Sequence, residues 1–222
     1  MDANIVILGT DNVGKSALTV RFLTRRFIGE YGHIESIYSH NVMVDGKEIT
    51  FNIWDSPSTQ ERCCESLAQE KRTQWADGFI LAYSICDRAS FNAAARLVPA
   101  IRAARDGAGA EKAPIVIVGN KRDLHHRRTV SSEEGRLLAL ATDCQFYEVS
   151  AAENYHGVLM VFHALLQQVR QGAASRQEAG GDQGHREERV RRVHPQTDRL
   201  AVTAPWGEGG RRRTRSRQLS GS

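Results

Sequence analysis

Asn4-Ile5-Val6-Ile7-Leu8-Gly9-Thr10-Asp11-Asn12-Val13-Gly14-Lys15-Ser16 lies near the start of a 222-residue chain and decides how the rest is read. Ile5 to Leu8 is a short apolar run that ends at Gly9, which predicts a strand buried on both faces. Gly9 to Ser16 then follows the spacing G-x-x-x-x-G-K-[ST]. In that pattern the glycines let backbone N–H groups, here those of Thr10, Asp11, Asn12 and Val13 among others, close around phosphate oxygens. Lys15 reaches the β- and γ-phosphates, and the Ser16 hydroxyl is a ligand for Mg²⁺. Leu18, Phe22 and Leu23 follow at helical spacing over Ser16 to Phe27. The loop therefore opens a helix whose N-terminal partial charge faces the same anion.

Outward from this segment, strand and helix patterns alternate. Asn41–Val44 and Ile49–Ile53 flank Asp45-Gly46 and predict a β-hairpin. Phe79–Ile85, Ile115–Val118 and Phe146–Val149 read as further strands, and Ser90–Arg105, Ser132–Thr142 and Val158–Arg170 as helices. A Ser cap with Glu133 and Glu134 in the first turn marks the second of these helices. Such alternation predicts an α/β fold, a mostly parallel sheet with one antiparallel hairpin strand and helices on both faces. Ligands of these sheets sit beyond the carboxyl ends of the strands, where the motifs fall.

A second motif, Asn120-Lys121-Arg122-Asp123, follows the Ile115–Val118 strand. A carboxylate at Asp123 can accept from the ring N–H and the exocyclic amine of guanine together, a donor pair that adenine lacks. A site built on such bonds rejects the wrong ligand strongly. Asn120 would meet the ring edge and tie loops together, and the Lys121 stem would cover the base. Ser150-Ala151-Ala152, after the next strand, would supply a backbone N–H to the base oxygen.

These motifs resemble the small GTPases of the Ras superfamily from residue 4 to about 170, and imply a P-loop NTPase G domain with a six-stranded sheet. Ser16 to Tyr31, Trp75–Phe79, Asp87–Phe91 and Asn120–Leu124 are similar to the unprenylated branch around the Ras-related oestrogen-regulated growth inhibitor and its "like" relative. The resemblance implies GTP/GDP and Mg²⁺ as ligands. It adds Ala17, Leu124 and Phe27 to the nucleotide contacts, with Phe27 packed against the guanine ring. Asp55 would hold Mg²⁺ through water. Effectors and regulators would meet residues 30–38 and 55–75 of a monomer.

The same resemblance exposes three departures. Asp11 stands where Ras has glycine, which crowds the γ-phosphate and adds like charge. His33 stands where a threonine ligates Mg²⁺, in a segment about one residue short. Asp55-Ser-Pro-Ser58-Thr59-Gln60 replaces D-x-x-G-Q, so Ser58 stands for the γ-phosphate glycine and Thr59 for the water-orienting glutamine. Lys15, Thr59 and Gln60 are the candidate catalytic residues. The expectation is a GTP-binding protein with slow or impaired hydrolysis. The alternative is a pseudo-GTPase, an interaction module working independently of the nucleotide cycle.

Composition supports one domain and a tail. With 41% hydrophobic and 25% charged residues the chain can bury a core. Residues 172–222 hold 11 Arg against 6 Asp+Glu, a net of +5, so the remaining 19 basic and 20 acidic residues leave 1–171 near neutral. Five Leu, Ile, Val or Phe in that tail are too few to offset the entropy of ordering, which predicts a disordered Arg-rich tail after a domain spanning 1–171. Arg211–Arg217 suits a nuclear localisation signal, a patch for nucleic acid or anionic lipid, or a solvated charge run. Trp206 is the tail's one aromatic, too little for a nucleic-acid stacking platform. No cysteine follows Cys144 and Asp2 follows Met1, so neither a prenylation box nor a myristoylation site is expected. The expected location is cytoplasmic or nuclear without a stable membrane anchor. Cys63-Cys64 and His125-His126 read as incidental loop residues, and Trp75 as packing.

Overall fold

A computed structural model describes residues 2–29, 36–44, 47–55, 71–106 and 112–179. The N-terminal apolar run is β1 (Asp2–Leu8), buried from Ala3 onward. Ala3, Ile5 and Ile7 join one core while Val6 and Leu8 join the other, the two-residue period of a strand covered on both faces. β2 (Ser36–Val44) and β3 (Lys47–Asp55) form the antiparallel pair, with Val44 opposite Lys47. β3 and β4 (Gly78–Ser84) lie parallel on either side of β1. β5 (Ile115–Asn120) and β6 (Gln145–Glu148) extend the sheet in parallel. The order is β2-β3-β1-β4-β5-β6. The chain thus leaves β1 toward one side and returns to build the other, which places a topological switch point at the carboxyl end of β1.

The helices are α1 (Lys15–Thr24), α2 (described over 71–75), α3 (Arg88–Asp106), α4 (Ser132–Thr142) and α5 (Tyr155–Ala179), with a 3-10 segment at Arg122–Arg127. Leu18 and Phe22 of α1 and Phe162, Leu165 and Leu166 of α5 pack on one face of the sheet. Phe22 stacks on Phe162 at 4.1 Å and meets Phe51 edge-on at 5.6 Å. Ala94, Val98 and Ile101 of α3 and Ala139 of α4 pack on the other face. Trp75 packs as expected, edge-on to Trp54 with ring centroids 5.3 Å apart. Among the described residues no helix is long and apolar enough to cross a membrane.

The limits of α1 and α5 differ from the periodicity. α1 stops at Thr24 instead of Phe27, because Arg25 takes a left-handed φ of 61° and its N–H returns to the Arg21 carbonyl at 2.9 Å. α5 starts three residues early, where the Asn154 side chain accepts from His156 N–H at 2.8 Å as a cap. It also runs to Ala179, so the boundary expected at 171 falls inside this helix. Gln, Ala and Arg between 171 and 179 are good helix formers that carry the helix past the apolar stripe. Residues 180–222, and with them the Arg-rich run, lie outside the described residues.

Candidate functional site

β1 delivers the phosphate loop at the switch point, and two glycines make its path possible. Gly9 has φ 149°, and a Cβ there would lie 2.2 Å from the Ala82 carbonyl oxygen of β4. Gly14 has φ 94°, and a Cβ there would lie 2.4 Å from Asn120 Nδ2. Asn12 between them also takes a left-handed φ of 59°, a conformation asparagine tolerates. Lys15 opens α1 with its ammonium curled over the loop, donating to the Gly9 carbonyl at 3.0 Å and the Thr10 carbonyl at 2.9 Å. It is 8% exposed, and burial lowers its pKa, opposed by the nearby charges of Asp11 and Asp55. A phosphate would restore the counter-charge that water no longer supplies. Thr10 Oγ1 is buried with no hydrogen-bond partner among the described residues, a polar atom such a ligand could satisfy.

Ser16 and Asp55 come together at the α1 N-terminus and the end of β3. Burial raises the Asp55 pKa, while the nearby Ser16 hydroxyl and the Lys15 charge pull it down. A hydroxyl and a carboxylate are hard oxygen donors and fit Mg²⁺, which takes few protein ligands and completes its shell with water and phosphate. Among the described residues no group of three His, Cys, Asp or Glu could hold a metal. His125 and His126 are exposed.

The base motif ends β5. Asn120, 2% exposed, donates from Nδ2 to the Val13 carbonyl at 2.9 Å and accepts on Oδ1 from Ala151 N–H at 3.1 Å. One side chain thus joins the phosphate loop, the loop after β5 and the loop after β6. Lys121 takes φ 66°, which turns the chain so that Asp123 follows in the 3-10 segment. The Ser150 hydroxyl donates to Asp123 Oδ1 at 2.6 Å. Ala17 and Ala151 are buried, Leu124 and Ala152 half-buried, and Phe27 stays 45% exposed beyond α1.

Residue type pointed to Ser150 for its backbone alone, and gave no sign of the hold of Arg21 on the loop after β6 or of Arg25 on Tyr155 at the start of α5. Thr59 and Gln60, together with His33 and Ser58, lie outside the described residues. Of the expected partner surfaces, 36–38 on edge strand β2 and 71–75 on α2 are described.

Residues 4–171 match the Ras family. The chain is 42% identical over 171 residues to the Ras-related and estrogen-regulated growth inhibitor-like protein of Bos taurus, covering 76% of this chain and 83% of that one. It is 38% identical over 167 residues to Ras-like protein family member 11B of Danio rerio, 72% of this chain and 66% of that one. It is also 37% identical over 170 residues to the Ras-related and estrogen-regulated growth inhibitor of Bos taurus, 76% and 82% of the two chains.

Proposed function

Because the chain belongs to the Ras family, we propose that it is a signalling protein that binds GDP and GTP with Mg²⁺ and hydrolyses GTP slowly. The observation that supports this is the Asn120 bridge, which ties the phosphate loop to the loop after β6, whose Ser150 hydroxyl donates to the Asp123 carboxylate. Lys15 would exchange its two loop carbonyls for the β- and γ-phosphate oxygens, and the N–H groups of Gly9 to Ala17 would line the rest. Ser16 and Asp55 would hold Mg²⁺, the second through water; the ion supplies neutralisation of phosphate charge. Asp123 would take guanine's paired donors, the Ala151–Ala152 backbone its oxygen, and Lys121, Leu124 and Phe27 the faces of the ring.

Slow hydrolysis follows from side-chain chemistry. Thr59 is too short to orient a water as glutamine does, and Ser58 puts a side chain where close backbone approach is needed. Asp11 adds negative charge beside phosphates in a site where fixed dipoles carry most of the rate enhancement. These same departures, with His33, favour a second reading in which the fold recruits partners regardless of nucleotide. Partner proteins would meet residues 30–38 and 55–75 of a monomer located in cytoplasm or nucleus.

Competition titration tests the reading: labelled GDP should be displaced by GTP and not by ATP. Displacement by ATP at comparable concentration would remove it. Capture of the same partners by the GDP form and by a non-hydrolysable GTP form would select the second reading.

A further inference from the structure

α1 begins at the phosphate loop, yet its second half holds the loop after β6, and the Arg25 that caps it meets the start of α5. Arg21 Nη2 donates to the Glu153 carbonyl at 3.1 Å, across 132 residues of sequence. Arg25 Cζ lies 5.3 Å from the centroid of the Tyr155 ring. Glu153, held at its carbonyl by Arg21, donates its N–H to Ser150 Oγ at 3.1 Å. Ser150 Oγ in turn donates to Asp123 Oδ1 at 2.6 Å. A serine hydroxyl has one proton, so an oxygen that accepts from Glu153 and donates to Asp123 has no free rotation left. An aspartate's terminal torsion is broad and needs a second contact to fix its plane.

We propose that Arg21 is a positioning residue for base recognition: it pins Glu153, and through Ser150 it sets the plane in which the Asp123 carboxylate meets the base. The inference rests on the reading of Asp123 as the acceptor for guanine's two donors. It makes α1 the element that couples the two ends of the site. The helix presents its N-terminus to phosphate and holds the base-reading carboxylate from its C-terminal half.

The test measures affinities of GDP and IDP, whose base lacks the exocyclic amine, on the full chain. The variants are Arg21→Ala, Arg21→Lys, Ser150→Ala and the double Arg21→Ala/Ser150→Ala. Arg21→Ala should lower GDP affinity about fivefold, the worth of one ordinary hydrogen bond. IDP should lose less, so the GDP preference narrows. Lysine keeps a donor on a stem of comparable reach and should restore the preference. The double variant should discriminate no worse than Ser150→Ala, because both residues lie on one path. Equal losses for GDP and IDP in Arg21→Ala would overturn the proposal and leave Arg21 a packing support. Equal GDP and IDP binding by the unaltered chain would overturn the underlying base reading instead. Should Arg21→Ala lose its fold by circular dichroism, Arg21→Met keeps the apolar stem, withdraws the donors and carries the same two outcomes.

Discussion

Gly14 answers to two separate constraints, a backbone φ of 94° and an Asn120 amide nitrogen that would stand 2.4 Å from any Cβ. Gly14→Ala should therefore break the Asn120–Val13 bond as well as strain the loop. Strain of about 1–3 kcal/mol is expected in thermal or urea unfolding, with GDP affinity reduced at least tenfold by fluorescence titration. Wild-type affinity in a folded variant would mean that the bridge does not organise the site. At Asp123 the prediction is a change of preference. An amide offers a donor where the carboxylate accepts, so Asp123→Asn should lose GDP and gain XDP, whose base carries an oxygen in place of the amine. Unchanged GDP preference in that variant would remove Asp123 from the recognition site. Gly9–Ser16 and Asn120–Asp123 were legible in the sequence because contiguous spacing encodes their geometry. Arg21 was not, because its partner is a backbone carbonyl that leaves no mark on residue type.

At the scale of elements, α4 is the helix whose limits the sequence fixes best. Ser131 accepts from Glu134 N–H while Glu134 returns to Ser131 N–H, a reciprocal cap written as S-x-x-E. Glu134 also pairs with Arg88 at the start of α3, and this pairing, with the Ser131 bonds, holds its carboxyl down at about 2. Glu148 at the end of β6 pairs twice with Arg128, at 2.7 and 2.8 Å, and accepts from Ser132 at 2.6 Å. The Arg128 bond, ahead of the opposing effect of burial, lowers its pKa as well. Carboxyls depressed in the folded state contribute stability that is present above their unfolded pKa, about 4.5, and lost as pH falls through the folded values. The melting temperature should therefore drop as pH falls from about 5 toward 2, and Glu148→Gln should flatten part of that drop. It should also cost about 2 kcal/mol at neutral pH by urea unfolding. An acid profile identical to wild type would show that the Arg128 pairing contributes nothing. α1 and α5 were less legible, since their ends are set by the left-handed Arg25 and the Asn154 cap, which apolar periodicity does not register.

For the molecule as a whole, the mostly parallel sheet followed from the alternation of strand and helix patterns, because parallel neighbours need a crossover connection; the order β2-β3-β1-β4-β5-β6 did not, since alternation leaves open on which side of β1 each strand is laid. Hydrolysis depends instead on the side chains at residues 56–60, Ser-Pro-Ser-Thr-Gln. Single-turnover hydrolysis of GTP should be no faster than the slow intrinsic Ras-type rate, on the order of 10⁻⁴ s⁻¹, with no stimulation by an arginine-supplying activator. Turnover of several per minute would assign the water to Gln60 and end the argument from Thr59. The central claim comes before any rate: the frame built by Asn120, Lys15 and Asp123 belongs to a guanine nucleotide. Chromatography of the nucleotide released on denaturing the purified full chain measures that directly. The account predicts GDP, or GDP with GTP, at close to one equivalent; an adenine nucleotide, or none at all from a folded protein with Mg²⁺ present throughout, would contradict it.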